Sequence, residues 1–455
     1  MTSPDDIDTA VQAALKVPPT RGACMLEHLY RQSDKRGLQE PFRAAIVRTL
    51  SVPDPNLLMS FWGYRLGVLP LDEFAQAPVR IDSDALRLWR RALSLSVLLG
   101  LIWLVFSGGR PPVPSPDVAS PLFWLGWAPA TTLLIMIFIA SESQTRGQFR
   151  IMTAAALILV VSASWSGWIS RGIKGPIPLL IAIHLPILSW IVLGAAATLR
   201  GEERALQRMS FILKSAEALV ASAIYFGGAG IFGILTLGIF NVLGIHFPES
   251  WINRGGAVTL GLLPMLAIAS TYNPRLAPAG QDFSTGPARL MRLLCRLLLA
   301  PTLAVLVIYV FWFIPRYFWR AFEERSVLLV YNASLAGVLL LLVLAIPHVR
   351  EELSVTWQNV LRHGVKTIGT LSLILNLYSL SAVVNRTMRL GMSANRHAIL
   401  GWNMVTLCLL TSILAGQWRS DTSNWTQRFR ESFARILPLL ALWVAWVLLA
   451  TPLFR

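Results

Sequence analysis

Residues 177–199 read IPLLIAIHLPILSWIVLGAAATL, an unbroken apolar run without a Lys, Arg, Asp or Glu. A helix of that length spans roughly 35 Å at 1.5 Å per residue, enough to cross a hydrocarbon core ~30 Å thick. The same kind of run recurs on both sides of it. Further candidates are 92–106, 121–140, 151–169, 216–245, 256–272, 297–314, 326–346, 367–384, 397–416 and 436–454. Short arginine-bearing loops join them. The chain therefore reads as all-α, a polytopic transmembrane helical bundle of about eleven spans with a small N-terminal helical cytosolic or membrane-surface module over 1–91.

Composition agrees. Hydrophobic residues make up 55% of the 455 and charged residues 14%, where a soluble chain carries about 25% charged. The mean hydropathy is +0.57. The formal charge of +16 is unevenly placed, with +1 in residues 1–91 and +15 in residues 92–455. Those arginines are dispersed over loops that flank spans, where they anchor helices and set topology. No nucleic-acid-binding motif accompanies them, so no nucleic-acid partner is expected. Cys24, Cys295 and Cys408 are scattered and form no CxxC pair or disulfide framework. Asp5, Asp6 and Asp8 stand where a signal peptide would carry its basic segment, so the first span reads as an uncleaved anchor.

Loop charges give an orientation. With the N-terminus inside, the inside loops carry 17 Lys and Arg and the outside loops 10. The bias predicts a cytoplasmic N-terminus and an external C-terminus. Within 1–91, the segment 5–16 is amphipathic, with Ile7, Val11 and Leu15 at helical spacing. Further helices fit 21–36 and a stretch opened by Pro41 and closed by Pro53 and Pro55. The aromatic stretch 60–70 (SFWGYRLGVLP) is too short to span and is expected on the membrane or beneath the helices. Spans one to six occupy 92–272 and spans seven to eleven 290–455, joined by a Pro-, Gly- and Ala-rich inside linker over 273–289 expected to be flexible. Three inside stretches, 200–215, 349–366 and 418–435, each place apolar residues on one face beside an acid–base cluster. They read as interfacial helices lying in the headgroups, and their recurrence hints at a repeated unit.

Polar residues inside spans are the candidates for function, because they are costly there. Ser372, Asn376 and Ser379 fall on one face of the span 367–384, as interhelical glue or as the lining of a wet cavity. His184 lies in the middle of 177–199, as a packed neutral imidazole or a ligand group. Glu217 follows Lys214 by three residues, a local ion pair. The span 216–245 holds Gly227, Gly228, Gly230, Gly233 and Gly238, which predicts close helix packing, a bend or a broken transporter helix. Asp117, Glu323 and Glu324 are acids in expected outside loops. Gly391-Met-Ser393-Ala faintly resembles an intramembrane serine protease turn, for which His184 and His397 are the available imidazoles. No HExxH, P-loop or paired intramembrane aspartates occur. No catalytic, cofactor or metal residues are assigned.

Residues 385–396 read NRTMRLGMSANR and lead into a span beginning HAILGWNM. An arginine, a glycine and then Asn-Arg at a span entrance resembles a bacterial multi-pass inner-membrane family catalogued only as a domain of unknown function. The layout over roughly 177–454 fits, while Leu390, Ser393 and Ala394 replace that pattern's aromatic, threonine and proline. The resemblance implies a fold and a bacterial inner-membrane location, and no activity. Physically, Arg386, Arg389, Asn395 and Arg396 form a dense polar cluster suited to the phosphate or carboxylate of a lipid head or envelope polymer. The expected function is a transporter-like or scaffold component of the cell envelope, non-enzymatic. Its partners would be membrane lipids, with a lipid-linked envelope substrate as a further candidate. The competing expectation is a lipid- or glycan-modifying membrane enzyme using Asp117, Glu323 or Glu324 with the arginine cluster.

Overall fold

The computed structural model describes residues 4–15, 19–35, 38–50, 57–68, 83–107, 126–142, 146–170, 177–199, 203–283, 286–348, 353–450 and 453. Among them no strand occurs, and two compact units form, Met1–Leu86 and Arg87–Arg455.

The first unit packs α1 (Pro4–Leu15), α2 (Pro19–Lys35), α3 (Gln39–Leu50) and α4 (Leu57–Arg65). Pro4 and Pro19 each sit at a first helical position, where the missing N–H costs nothing. Ile7, Val11 and Ala14 of α1 meet Leu26, Phe42, Ile46, Met59 and Trp62 in a closed core. Tyr30, Phe42 and Trp62 pack as an aromatic triad with centroids 5.5–5.7 Å apart. The aromatic stretch from residue 60 thus spends Trp62 on the unit's own core, and Phe61, 61% exposed, is its outward aromatic. Residues 69–70 of that stretch lie outside the described residues. Arg65 stacks on Trp62 and Tyr30 and bonds Glu27 at 2.5 Å, and Arg31 bonds the same carboxylate at 2.9 Å. Those two guanidiniums, Arg65 first, hold the Glu27 carboxyl below its ordinary value of 4.5.

Among the described residues, ten helices are long and apolar enough to span a membrane. They lie in α5 (Ser83–Ser107), α7 (Arg146–Ile169), α8 (Ile177–Thr198), α9 (Arg204–Val242), α10 (Glu249–Thr271), α11 (Gly286–Ile308, prolonged by a π turn to Arg316), α13 (Arg325–Ala345), α14 (Val355–Leu390), α15 (Ala394–Trp418) and α16 (Trp425–Ala450). The remaining expected span, 121–140, corresponds to the short helix α6 (Thr131–Ala140) behind the π turn Gly126–Ala130, and 121–125 lie outside the described residues. A short turn, α12 (Arg320–Glu323), precedes α13.

Three sequence expectations change. The supposed interfacial helices are not separate elements. Residues 204–215, 355–366 and 425–435 continue without a break into α9, α14 and α16. Nothing in those stretches stops a helix, and Leu213, Leu361 and Phe429 are buried. Second, the expected flexible linker is held over 273–283. Gln281 accepts from Asn273 N at 2.9 Å and donates to the Asn273 and Leu276 carbonyls, while Ala279 N donates to Gln207 at 3.0 Å. A buried glutamine satisfies the backbone groups of the turn, which pins it. Third, α9 is one continuous helix, and a Cβ added at Gly227, Gly228, Gly230, Gly233 or Gly238 meets nothing within 4 Å. Those glycines permit no close approach inside this chain. The outer half of α9 is exposed, with Phe232 at 72% and Val242 at 88%.

Segments read as sharing a side of the membrane meet each other. Glu142 bonds Arg91 at 2.6 Å and Arg275 at 3.4 Å. Arg362 donates to the Ser420 carbonyl, and Arg430 to those of Pro347 and His348. On the opposite side Arg386 reaches the Glu323 carbonyl. The acid–base residues 200–202 and 350–352, like Asp117, lie outside the described residues.

Candidate functional site: an intramembrane cleft

The sequence of 385–396 folds as a helix stop followed by a helix start. Gly391, at φ 77°, ends α14 in a conformation that a Cβ would strain. Ser393 caps α15, its hydroxyl accepting from Arg396 N at 3.4 Å. Arg396 then folds back and donates to the Leu390 and Gly391 carbonyls at 3.0 and 2.5 Å, filling orphan acceptors at the end of α14. Arg386 does the same for Glu323 at 3.0 Å. Together with Asn395 these two arginines line a cavity of only about 100 Å³. Arg389 does not join them; it is exposed and makes no bond among the described residues. No carboxylate lines that cavity, and Glu324 lies 3.9 Å from Arg320. Arg386 and Arg396 thus each use one terminal guanidinium nitrogen on backbone carbonyls.

The polar stripe on α14 is completely buried. Ser372, Asn376 and Ser379 are each 0% exposed. Asn376 donates to Asn403 Oδ1 on α15 at 3.1 Å. Asn403 donates to Asn332 Oδ1 on α13 at 2.7 Å and to its own Ile399 carbonyl at 2.9 Å. Asn332 passes the chain to the Leu328 carbonyl. Three helices are thereby tied in a directional relay of amides, the interhelical glue expected of such groups. Among the described residues, the Ser372 and Ser379 hydroxyls and Asn376 Oδ1 have no hydrogen-bond partner.

His184 is likewise packed. Its Nδ1 lies 2.8 Å from the Leu180 carbonyl, which fixes the proton there, and its Nε2 accepts from the Trp402 indole at 3.0 Å. His397 accepts from Trp446 in the same way. Both imidazoles of the protease-like reading are occupied by indoles.

The relay and the histidine converge on one place. Asn332 and Trp402, the ends of the two networks, line a cleft of about 440 Å³. Its walls come from α8, α9, α13, α15 and α16, including Trp190, Ile212, Phe433 and Leu437. A cavity that size falls in the range of small-molecule sites, ~300–1,000 Å³, which are mostly apolar with a few placed polar groups. Here the indoles of Trp402 and Trp190 are both already bonded, the second to Ser215 Oγ at 3.1 Å. The wall is held rigid and offers ligand few free donors. A second cavity of about 240 Å³ shares Trp190, Ile212 and Leu437 with it and ends at Thr198, Arg204 and Arg208.

The sequence singled out residues one step behind this wall. His184 stands behind Trp402, and Asn376 behind Asn403 and Asn332. Asn332, Trp402, Arg204 and Arg208 were not among its candidates. Asn332 is a lone polar residue in an apolar span, which is a signal of the same kind as Asn376. Trp402 carries none, since tryptophan is common in spans. Comparison with protein-family models, with curated proteins and with solved structures finds no match.

Proposed function

We propose that this integral membrane protein is a transporter-like component of a bacterial inner membrane, with its N-terminus cytoplasmic and its C-terminus external, and that it takes a membrane-borne amphiphile into the cleft between α8, α13, α15 and α16. The observation that carries the reading is the cleft itself, an apolar space of about 440 Å³ between spans. Helix pairs in a membrane normally close such gaps, because van der Waals contact is a main force holding them together. An open one is stable only when something else fills it. The hydrogen-bonded framework behind its wall, Asn376–Asn403–Asn332 and His184–Trp402, ties α8, α13, α14 and α15 together beside it. The likeness of residues 177–454 to an uncharacterised membrane family belongs to the same reading and adds no activity.

Reconstitution tests it. Proteoliposomes carrying a headgroup-labelled fluorescent phospholipid are expected to expose label from the inner leaflet to an impermeant quencher faster than protein-free vesicles. Ala336→Phe, which puts a ring into the cleft, is expected to slow that exchange while leaving the fold intact. Wild-type exchange no faster than in empty vesicles replaces the transporter reading with a scaffold.

A further inference from the structure

The smaller cavity is amphipathic along its length. At one end Trp190, Ile191, Phe211 and Leu437 make it apolar. At the other, Arg204 and Arg208 enter from the first turns of α9. Trp190 and Thr198 are eight residues apart on α8, about 12 Å along the axis. The two arginines are four residues apart on one face, a like-charge spacing that destabilises a helix by a few tenths of a kcal/mol. Neither makes an ion pair among the described residues. Arg208 donates to the Ala434 carbonyl at 2.8 Å, and Arg204 makes no bond among the described residues. Two guanidiniums without an ion pair among the described residues thus stand where an apolar cavity opens toward the end of its helices. The apolar end shares Trp190, Ile212 and Leu437 with the larger cleft, and both spaces are open rather than sealed.

Resting on the cleft reading above, we infer that the ligand is an anionic lipid. Its phosphate sits between Arg204 and Arg208, and its acyl chain passes over Trp190 into the 440 Å³ cleft. The guanidinium pair supplies the fork geometry that phosphate oxygens match. A zwitterionic lipid brings a cation to the same place and loses that advantage. The apolar walls match an acyl chain and offer almost nothing to a sugar or a peptide.

Photo-crosslinking of the full-length protein in nanodiscs tests the assignment. Two diazirine-tailed probes are compared, phosphatidylglycerol and phosphatidylcholine, with adducts mapped by peptide mass spectrometry. The expected result is adducts on α8, α13 and α15 at the cleft, several-fold richer for phosphatidylglycerol. Arg204→Gln, with no bond to lose, and Arg208→Lys, which keeps its charge, bracket the effect. The first is expected to cut the phosphatidylglycerol adducts several-fold and leave phosphatidylcholine unchanged, and the second to retain most of them. Equal labelling by the two probes, unaltered in Arg204→Gln, overturns the anionic-lipid inference and leaves the cleft reading standing. Adducts confined to lipid-facing residues such as Leu179 and Phe232, with none in the cleft, overturn both.

Discussion

Replacing Asn403 tests whether the amide relay holds α13, α14 and α15 together. Asn403 makes two interhelical bonds, at 3.1 and 2.7 Å, and is 0% exposed. Interhelical hydrogen bonds in membrane proteins average ~0.6 kcal/mol each, so the pair contributes about 1.2 kcal/mol. Asn403→Ala also strands the Asn376 amide, which is 0% exposed and already has an unpartnered oxygen. A stranded buried donor adds roughly 1–3 kcal/mol. The expected cost is therefore about 2–4 kcal/mol. Asn332→Ala is the calibrating variant. It removes one interhelical bond, and Asn403 Nδ2 keeps the Ile399 carbonyl, so about 1 kcal/mol is expected. Asn403→Leu removes the same bonds as Asn403→Ala without leaving a void. The measurement is reversible unfolding in mixed micelles of increasing SDS fraction, followed by circular dichroism, with a double-mutant cycle between Asn376→Leu and Asn403→Leu. A coupling on the order of 0.5–3 kcal/mol is expected for residues in contact. If Asn403→Leu costs no more than Asn332→Ala and the coupling lies within ~0.3 kcal/mol of zero, the relay does not bind the helices and the argument that it frames the cleft fails.

The buried pair Lys214–Glu217, 2.7 Å apart with Lys214 also on the Thr271 carbonyl, predicts strong non-additivity. Lys214→Met alone is expected to cost about 3–5 kcal/mol, because it leaves a carboxylate unpaired, while Lys214→Met with Glu217→Leu costs less than the single change in the same unfolding assay. At Gly401 an added Cβ collides with the indole ring of Trp443, whereas at Gly230 it meets nothing. Gly401→Ala is therefore expected to lower the melting temperature, and Gly230→Ala to leave it unchanged or raise it slightly, since Ala favours a helix over Gly by up to about 1 kcal/mol. Glu27 predicts a pH effect in the first unit. A carboxyl whose folded value is depressed contributes stability that is fully present above its ordinary 4.5 and is lost as pH falls below that. Hydrogen exchange of the full chain should show 19–65 losing protection as pH drops from 5 toward 3, relative to the second unit, with Glu27→Gln abolishing that dependence.

How much of this was legible in the sequence varies by element. The length of the apolar run 177–199 requires a helix in a bilayer, and the same reasoning put an expected span on each of the ten long apolar helices among the described residues. The ion pair Lys214–Glu217 was legible because both partners sit on one helix three residues apart, a spacing set by helix geometry alone. The small core of the first unit was partly legible through Ile7 and Val11, while the spending of Trp62 on that core was not. Helix boundaries at 204, 355 and 425 were misjudged, because an amphipathic segment preceding a span looks the same whether it bends into the headgroups or continues straight. Neighbouring helices decide between the two by burying Leu213, Leu361 and Phe429.

By itself, then, the amino-acid sequence determined what depends on a residue and its near neighbours: the membrane class, the rough placement of the long apolar helices, the N-terminal helical module and the polar residues too costly to be incidental. Only the tertiary structure decided which of those polar residues meet. Asn403 joins Asn376 and Asn332 from 27 and 71 residues away, His184 finds Trp402 across 218 residues, and Arg386 and Arg396 reach backbone carbonyls. The cleft belongs to no stretch of sequence. It is space left between five helices, and its location follows from where their packed faces end.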